Sequence, residues 1–476
     1  MHFLSVPFLC FLPVAGLLSC FLPFKQRWKL LLIVSLLFIG LWNPGAMLVL
    51  LLSSLFTFYT GLLIEQNRKF RAGVYLLSVT IQVLSLFLLK YVESGSTGLH
   101  FLFHEAGFRL DLILYAAGFS FYTLQHIGYI TEIYYLRSEP EKNPLDFLLF
   151  SSFFAKFSSG PLEQAPQLIA QFRKPSTDLT LIYEGIQRVV LGIFKKMVLA
   201  DRLSPAVAHV FEAGQGQGSA ITVAGACLFT VQLYFDFSAY SDMAIGSAKI
   251  FGIRLTENFD RPFLSTSVSE FWRRWHISLI SWFSNYIYYP LVFRLRRYKG
   301  ASVLAGILVT FLLSGLWHGL GFTFFIWSLL HICFLCFESL TKNIRLNASR
   351  RFPTFIYKPF STLITFLLIC FSNLFFRAPD ITVAKQLFLQ LQGPLFLSKG
   401  FMEGFLSILA GGGYQEVLFN FYLTLMFTGG FLIFEKHLSK PLLPGRGLFL
   451  RTFFLVTLIF VCGIFKQAEY FIYQQF

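Results

Sequence analysis

Ala301-Ser302-Val303-Leu304-Ala305-Gly306-Ile307-Leu308-Val309-Thr310-Phe311-Leu312-Leu313-Ser314-Gly315-Leu316-Trp317 runs without a charged residue and ends on His318-Gly319. A bilayer core takes about 20 apolar residues wound as a helix, so a run of this kind predicts a membrane helix. His318 closes it. An ionisable residue at membrane depth is costly and marks a functional site by default. Imidazole titrates near neutral pH, which suits proton transfer. A structural alternative stays open, in which His318 donates one hydrogen bond to a neighbouring helix.

Outward from this stretch, comparable apolar runs lie near 3–24, 30–42, 46–64, 73–91, 111–130, 320–337, 359–376, 418–434 and 449–465. Only 13% of the 476 residues are charged, against roughly 25% in soluble domains, and the mean hydropathy is +0.64. The expectation is an all-α, multi-pass transmembrane helical bundle, with short, tilted or re-entrant helices around a central tunnel. We expect one membrane domain over 1–476, made of N-terminal helices to 130, a core over 131–380 and a C-terminal loop and helices over 381–476. The N-terminus lacks the basic segment of a secretory signal, so the first run is expected to be a retained helix.

Lys25-Gln26-Arg27-Trp28-Lys29 and Asn67-Arg68-Lys69-Phe70-Arg71 are basic connectors, whereas Asn43-Pro44-Gly45 and Glu93-Ser94-Gly95 carry no Lys or Arg. This alternation places the first residues outside the cytoplasm. The formal net charge of +15 reads as a topology signal and as contact with anionic membrane lipids; no nucleic-acid module is present. Cys333 and Cys336 form a lone C-x-x-C without further ligands at metal spacing, which predicts packing and no metal site. Gly411-Gly412-Gly413 has no following Lys, so it is not a phosphate loop.

The stretch 131–300 reads as irregular, with short runs broken by Gly, Pro, Asp and Arg. Backbone of this kind survives at membrane depth only inside protein or beside a wet cavity, so the active site is expected here. On one continuous helix Trp272, His276, Leu279 and Phe283 would share a face, with His276 toward a tunnel and Arg273 and Arg274 elsewhere. An interfacial anchor with Trp275 and Arg at headgroup depth is the alternative. Tyr234 to Gly246 sets Asp236, Ser238, Tyr240 and Asp242 in apolar surroundings. Buried acids need partners, so either Asp orients a histidine or each closes an ion pair. Lys195, Lys196, Arg273 and Arg274 are candidates for holding donor phosphates, lipid headgroups being the alternative.

Several motifs resemble the membrane-bound O-acyltransferase family, in the bacterial branch whose members acetylate exopolysaccharides such as alginate. They are Gly118-Phe119-Ser120-Phe121-Tyr122-Thr123-Leu124-Gln125, Gly160-Pro161, Tyr234 through Gly246, Glu257-Asn258-Phe259, Glu270-Phe271-Trp272-Arg273-Arg274-Trp275-His276-Ile277-Ser278-Leu279, Gly315-Leu316-Trp317-His318-Gly319 and Phe375-Phe376-Arg377-Ala378. They occur in order from about 115 to 380. His126, Ser314, Asn285 and Tyr289 depart from the family pattern.

The resemblance implies an acyltransferase in which His318 is catalytic and His276 is required, with Trp317, Trp272, Trp275 and Ser314 toward substrate or tunnel. It implies a cytoplasmic thioester donor, here acetyl-CoA, a polysaccharide acceptor, no bound cofactor, and a bacterial cytoplasmic membrane location. An exported acyltransferase would be the protein partner. A neutral His318 would take the proton from an acceptor hydroxyl, and backbone N–H groups near Gly319, or Ser314, would stabilise the oxyanion. The rivals are D-alanyl transfer from a carrier protein to teichoic acid, and a non-enzymatic transporter. The transporter reading is weakened by the lack of an internal repeat.

Overall fold

The computed structural model describes residues 5–93, 118–213, 218–393 and, except 439, 441, 443 and 444, 414–465. Gly411–Gly413, the start of the 111–130 run and residues 394–413 of the 378–417 connector lie outside them. Among the described residues the regular structure is helical, and one isolated antiparallel bridge joins Phe259 to Trp275. The helices are α1 (Val6–Phe21), α2 (Phe24–Trp42), α3 (Pro44–Gln66), α4 (Arg71–Glu93), α5 (Phe119–Tyr134), α6 (Pro144–Ser152), α7 (Ala165–Arg173), α8 (Leu179–Phe194), α9 (Asp201–Ala213) and α10 (Ser219–Ile250). They continue with α11 (Val268–Arg274), α12 (Ile277–Phe283), α13 (Tyr289–Arg294), α14 (Gly300–His318), α15 (Phe322–Leu340), α16 (Lys342–Arg351), α17 (Thr354–Arg377), α18 (Ile381–Gln390), α19 (Tyr414–Leu438) and α20 (Arg446–Cys462). Six of them (α3, α4, α10, α14, α15 and α17) are long and apolar enough to cross a membrane. The chain is a multi-pass helical membrane protein.

Local chemistry sets the helix ends. Asn43 accepts from the Ala46 amide at 3.0 Å while Pro44 opens α3, so the cap satisfies one orphan N–H of the first turn and the proline removes another. Asp178 caps α8 by accepting from the Thr180 amide, and Asp380 caps α18 by accepting from the Thr382 and Val383 amides, neither with a first-turn proline.

The irregular reading of 131–300 misses one large element. Ser219–Ile250 is a single 32-residue helix and a candidate span. Its polar residues do not break it because they are paired inside the protein. Lys196 binds Asp236 at 2.7 Å and Asp201 at 2.8 Å, Lys195 binds Asp242 at 2.7 Å, and Arg188 reaches both Asp242 and Glu257. Lys195 and Lys196 lie in a π-helical turn, Lys195–Ala200, between α8 and α9. Close approach of α8 to α10 allows these pairs. A Cβ on Gly185 would come within 2.6 Å of Gly246 O, and one on Gly192 within 2.7 Å of Ala239 O. Only small residues permit such a crossing.

Residues 153–164 form the expected irregular segment, buried almost throughout. Tyr240 of α10 holds it through Ser158 Oγ and through the Ser159 amide, which donates to the phenol oxygen at 3.2 Å. Lys156 is buried within it, donates to Gln125 Oε1 and lies 4.5 Å from the Phe150 ring centroid.

α14 and α15 form an antiparallel pair. Basic residues stand at one end of it, Arg296, Arg297 and Lys299 before α14 and Lys342, Arg345, Arg350 and Arg351 in α16. His318 is at the other end of α14. Gly315 lets the pair close, since a Cβ there would collide with Ser328 Oγ and sit 3.0 Å from Phe324 O. Cys333 lies on the exposed face of α15 and not in the core, because the inward positions of that helix are held by Trp327, His331 and Leu335.

Candidate active site

α11 begins where Ser267 Oγ accepts from the Glu270 amide at 3.1 Å. Glu338, near the end of α15, accepts from the amides of Val268 (2.5 Å) and Ser269 (3.0 Å). A carboxylate at these orphan donors is favoured by hydrogen bonding and by the helix dipole together.

The expected continuous helix through Trp272 and Phe283 is not formed. α11 ends at Arg274, Trp275 is extended, and His276 is left-handed (φ 46°, ψ 51°). The Glu257-Asn258-Phe259 segment competes for the backbone. Asp260 N donates to Arg274 O at 3.0 Å, Ile277 N donates to Asn258 O at 2.9 Å, and Asn258 Oδ1 accepts from Ser278 N at 3.2 Å and Ser278 Oγ at 2.6 Å. A non-glycine residue at positive φ costs about 1–3 kcal/mol and clusters at functional sites. The break turns His276 out of the Trp272 stripe, yet both residues line the same cavity.

That cavity is small, about 20 Å³, room for a water-sized group. His276, His318 and His331 all reach it, with Trp272, Ser314 and Asn373 among the other lining side chains. His276 is fully buried and packs edge-on against Phe237 (4.6 Å between centroids) and flat against Phe121 (6.2 Å). It belongs to none of the six candidate spans, and burial pushes its imidazole down to about 3; it is therefore neutral at physiological pH. His318 is ringed by Trp317 (4.9 Å), Trp327 (5.2 Å) and Phe376 (5.2 Å).

His331 has a fully directional hydrogen-bond chain. Ser372 Oγ donates to Ile369 O at 2.9 Å, so it accepts from His331 Nε2 at 3.1 Å; His331 Nδ1 then accepts from Trp272 Nε1 at 3.2 Å. One neutral tautomer satisfies all three bonds. His331, Trp327 and Asn373 are site residues that the sequence reading misses, although His331 sits in an apolar helix just as His318 does. Asn373 is held by a bond to Thr230 Oγ1 at 3.2 Å.

Of the residues expected at the site, His276, His318, Trp272, Trp275 and Ser314 line the cavity. Trp317 packs beside it, against Phe121 at 5.4 Å. Asp236 and Asp242 do not line it and take part in the ion pairs along α10. Ser238 faces Phe235 O, and Tyr240 anchors the 153–164 segment. Lys195 and Lys196 are buried and already bound to carboxylates, so a donor phosphate would have to displace Asp242 or Asp236. Arg274 pairs with Glu270 at 2.7 Å, while Arg273 remains exposed. The Gly319 amide, expected near an oxyanion, donates to Gly315 O at 3.1 Å and ends the helix. Among the described residues no group of His, Cys, Asp and Glu is arranged to hold a metal.

A second, polar cavity of about 60 Å³ lies on the other side of α12, lined by Gln125, Glu132, Glu163, Ser278, Ser281 and Asn285 among others. α12 thus presents His276, Leu279 and Ile280 to one cavity and Ser278, Ser281 and Trp282 to the other.

Residues 140–377 match the sequence model of MBOAT, the membrane-bound O-acyltransferase family. A probable alginate O-acetylase AlgI of Pseudomonas aeruginosa is 35% identical over 370 residues, covering 76% of this chain and 69% of that protein. A peptidoglycan O-acetyltransferase of Helicobacter pylori is 31% identical over 395 residues, covering 76% and 72%. A teichoic acid D-alanyltransferase of Bacillus subtilis is 31% identical over 251 residues, covering 48% and 61%.

Proposed function

This chain belongs to the membrane-bound O-acyltransferase family, and on that premise we propose that this O-acyltransferase moves acetyl groups from cytoplasmic acetyl-CoA to an exported or cell-envelope polysaccharide. The observation that carries the reading is the convergence of His318, at the end of α14, and His276, at the α11–α12 break, on one aromatic-walled cavity. In the bacterial cytoplasmic membrane the basic end of α14 and α15 would face inward.

In the reaction, an acceptor hydroxyl oxygen attacks the thioester carbonyl carbon, and neutral His318 takes the hydroxyl proton. The carbonyl electron pair moves onto oxygen, then returns as the C–S bond breaks. The thiolate leaves with the proton from the His318 imidazolium, and an ester C–O bond has formed. His276, neutral and fixed between Phe121 and Phe237, positions the acceptor or relays its proton. The aromatic wall excludes water, which would otherwise compete as acceptor. The likeness to the alginate and peptidoglycan O-acetylases supports a polysaccharide acceptor.

The test compares a deletion host carrying wild type or His318→Ala at matched membrane levels. Acyl groups are released from envelope polysaccharide by alkali and identified by mass spectrometry. Acetate that disappears in the variant supports the proposal. Alanine in its place supports the D-alanyl alternative, and unchanged esters remove His318 from the chemistry.

A further inference from the structure

Trp327 stands on α15 one turn before His331 and is 3% exposed. Its ring lies edge-on to Trp272 (5.8 Å, 82°), His318 (5.2 Å, 84°) and His331 (4.8 Å, 66°), and tilted against Phe376 (5.4 Å, 59°). All four of those side chains line the cavity, as Trp327 itself does. Its indole Nε1–H nevertheless has no acceptor among the described residues. His331 cannot serve, because its Nδ1 already accepts from Trp272 and its Nε2 donates to Ser372. Buried donors are paired in native proteins with few exceptions, and an exception beside a cavity points to a ligand atom as the partner.

We propose that the Trp327 Nε1–H is the donor that binds the acyl carbonyl oxygen of the thioester and stabilises it as negative charge develops. The proposal deepens the acyl-transfer reading and rests on it. When the acceptor oxygen bonds to the carbonyl carbon and His318 takes its proton, the carbonyl pair becomes an alkoxide; the indole N–H holds that oxygen until the pair returns and the thiol departs. The indole keeps its own proton throughout and is always charge-neutral. Donors fixed in a water-poor site act most strongly on charge that forms only in the transition state. The backbone candidate at Gly319 is not available, since its amide donates to Gly315 O. Trp327 is also held in place before substrate arrives, by the ring of Trp272 that His331 fixes.

The test replaces Trp327 with 3-benzothienylalanine through a reassigned codon, which keeps the bicyclic shape and puts sulfur where the N–H was. Tryptophan restored through the same codon is the control, Trp327→Phe is a second variant, and His318→Ala runs in parallel. The readout is the initial rate at which alkali-labile acyl esters appear on envelope polysaccharide after induction, at matched membrane levels, whatever the acyl group. Loss of one such donor lowers turnover by about 10²-fold or more, so the benzothienyl and Phe variants should fall together to that extent while restored tryptophan recovers the rate. A benzothienyl variant at the wild-type rate, with His318→Ala inactive, overturns the role of Trp327 alone and leaves it a wall. Esters that do not depend on His318 overturn the reading beneath it as well.

Discussion

Replacing His331 with Phe removes both ring nitrogens and keeps the ring. Two buried bonds disappear, from Trp272 Nε1 (3.2 Å) and to Ser372 Oγ (3.1 Å). The Trp272 N–H is left buried without an acceptor, which costs about 1–3 kcal/mol. Ser372 still donates to Ile369 O, so its share is an ordinary bond of about 0.5–1.5 kcal/mol. The sum predicts a loss of about 1.5–4.5 kcal/mol. His331→Asn offers an acceptor and a donor on one amide and should recover part of it. Denaturant titration of the purified protein in detergent micelles measures each value. The decisive arrangement is a double-mutant cycle with Trp272→Phe, which removes the donor itself. In that background His331→Phe should cost only the Ser372 share, giving a coupling of about 1–3 kcal/mol. Additive losses, within about 0.3–0.5 kcal/mol, would show that the two rings do not depend on one another and would refute the directional chain.

Gly315→Ala forces its Cβ against Ser328 Oγ and to 3.0 Å from Phe324 O, an overpacking cost of about 1–3 kcal/mol; adding Ser328→Ala should relieve part of it in thermal melts, and ester output should fall because α14 carries His318. Burial pushes the Lys156 amine down to about 7, with Glu163 opposing weakly, while the unfolded chain keeps a value near 10.4. Between those values the unfolded state binds more protons, so stability is lowest below pH 7 and rises as pH climbs toward 10, by at most about 1.4 kcal/mol per unit. Melting curves from pH 7 to 9.5 should therefore climb for wild type and lie flat for Lys156→Met; parallel curves would place the perturbation elsewhere.

Much of the fold was legible because membrane insertion is judged residue by residue along the chain. The runs at 301–317, 320–337 and 359–376 became α14, α15 and α17 with ends shifted by a few residues, since burying each side chain in lipid has a cost that does not depend on the rest of the protein. α10 was not legible by that rule. Asp236 and Asp242 look like interruptions until Lys195, Lys196 and Arg188 are brought to them from another helix, and then the same residues hold the helix inside the bundle.

The site follows the same division. His318 was visible because an imidazole at the end of an apolar run is anomalous by itself, and His331 is anomalous for the same reason but carries no flanking Trp-His-Gly motif. The break at His276 could not be read at all. Trp272 to Phe283 contains no glycine or proline, and nothing in its own sequence opposes a helix. What opposes it is Asn258, whose side chain and carbonyl take the Ser278 and Ile277 amides. A strained φ at a histidine is tolerable only when such outside bonds over-determine it, and those bonds aim His276 into the cavity that α14, α15 and α17 wall. Helices come from the chemistry of neighbours in sequence, whereas this cavity comes from hydrogen bonds between segments far apart in the chain. Asn258→Ala should accordingly disturb the site more than the fold, because it releases the break while leaving every membrane span intact.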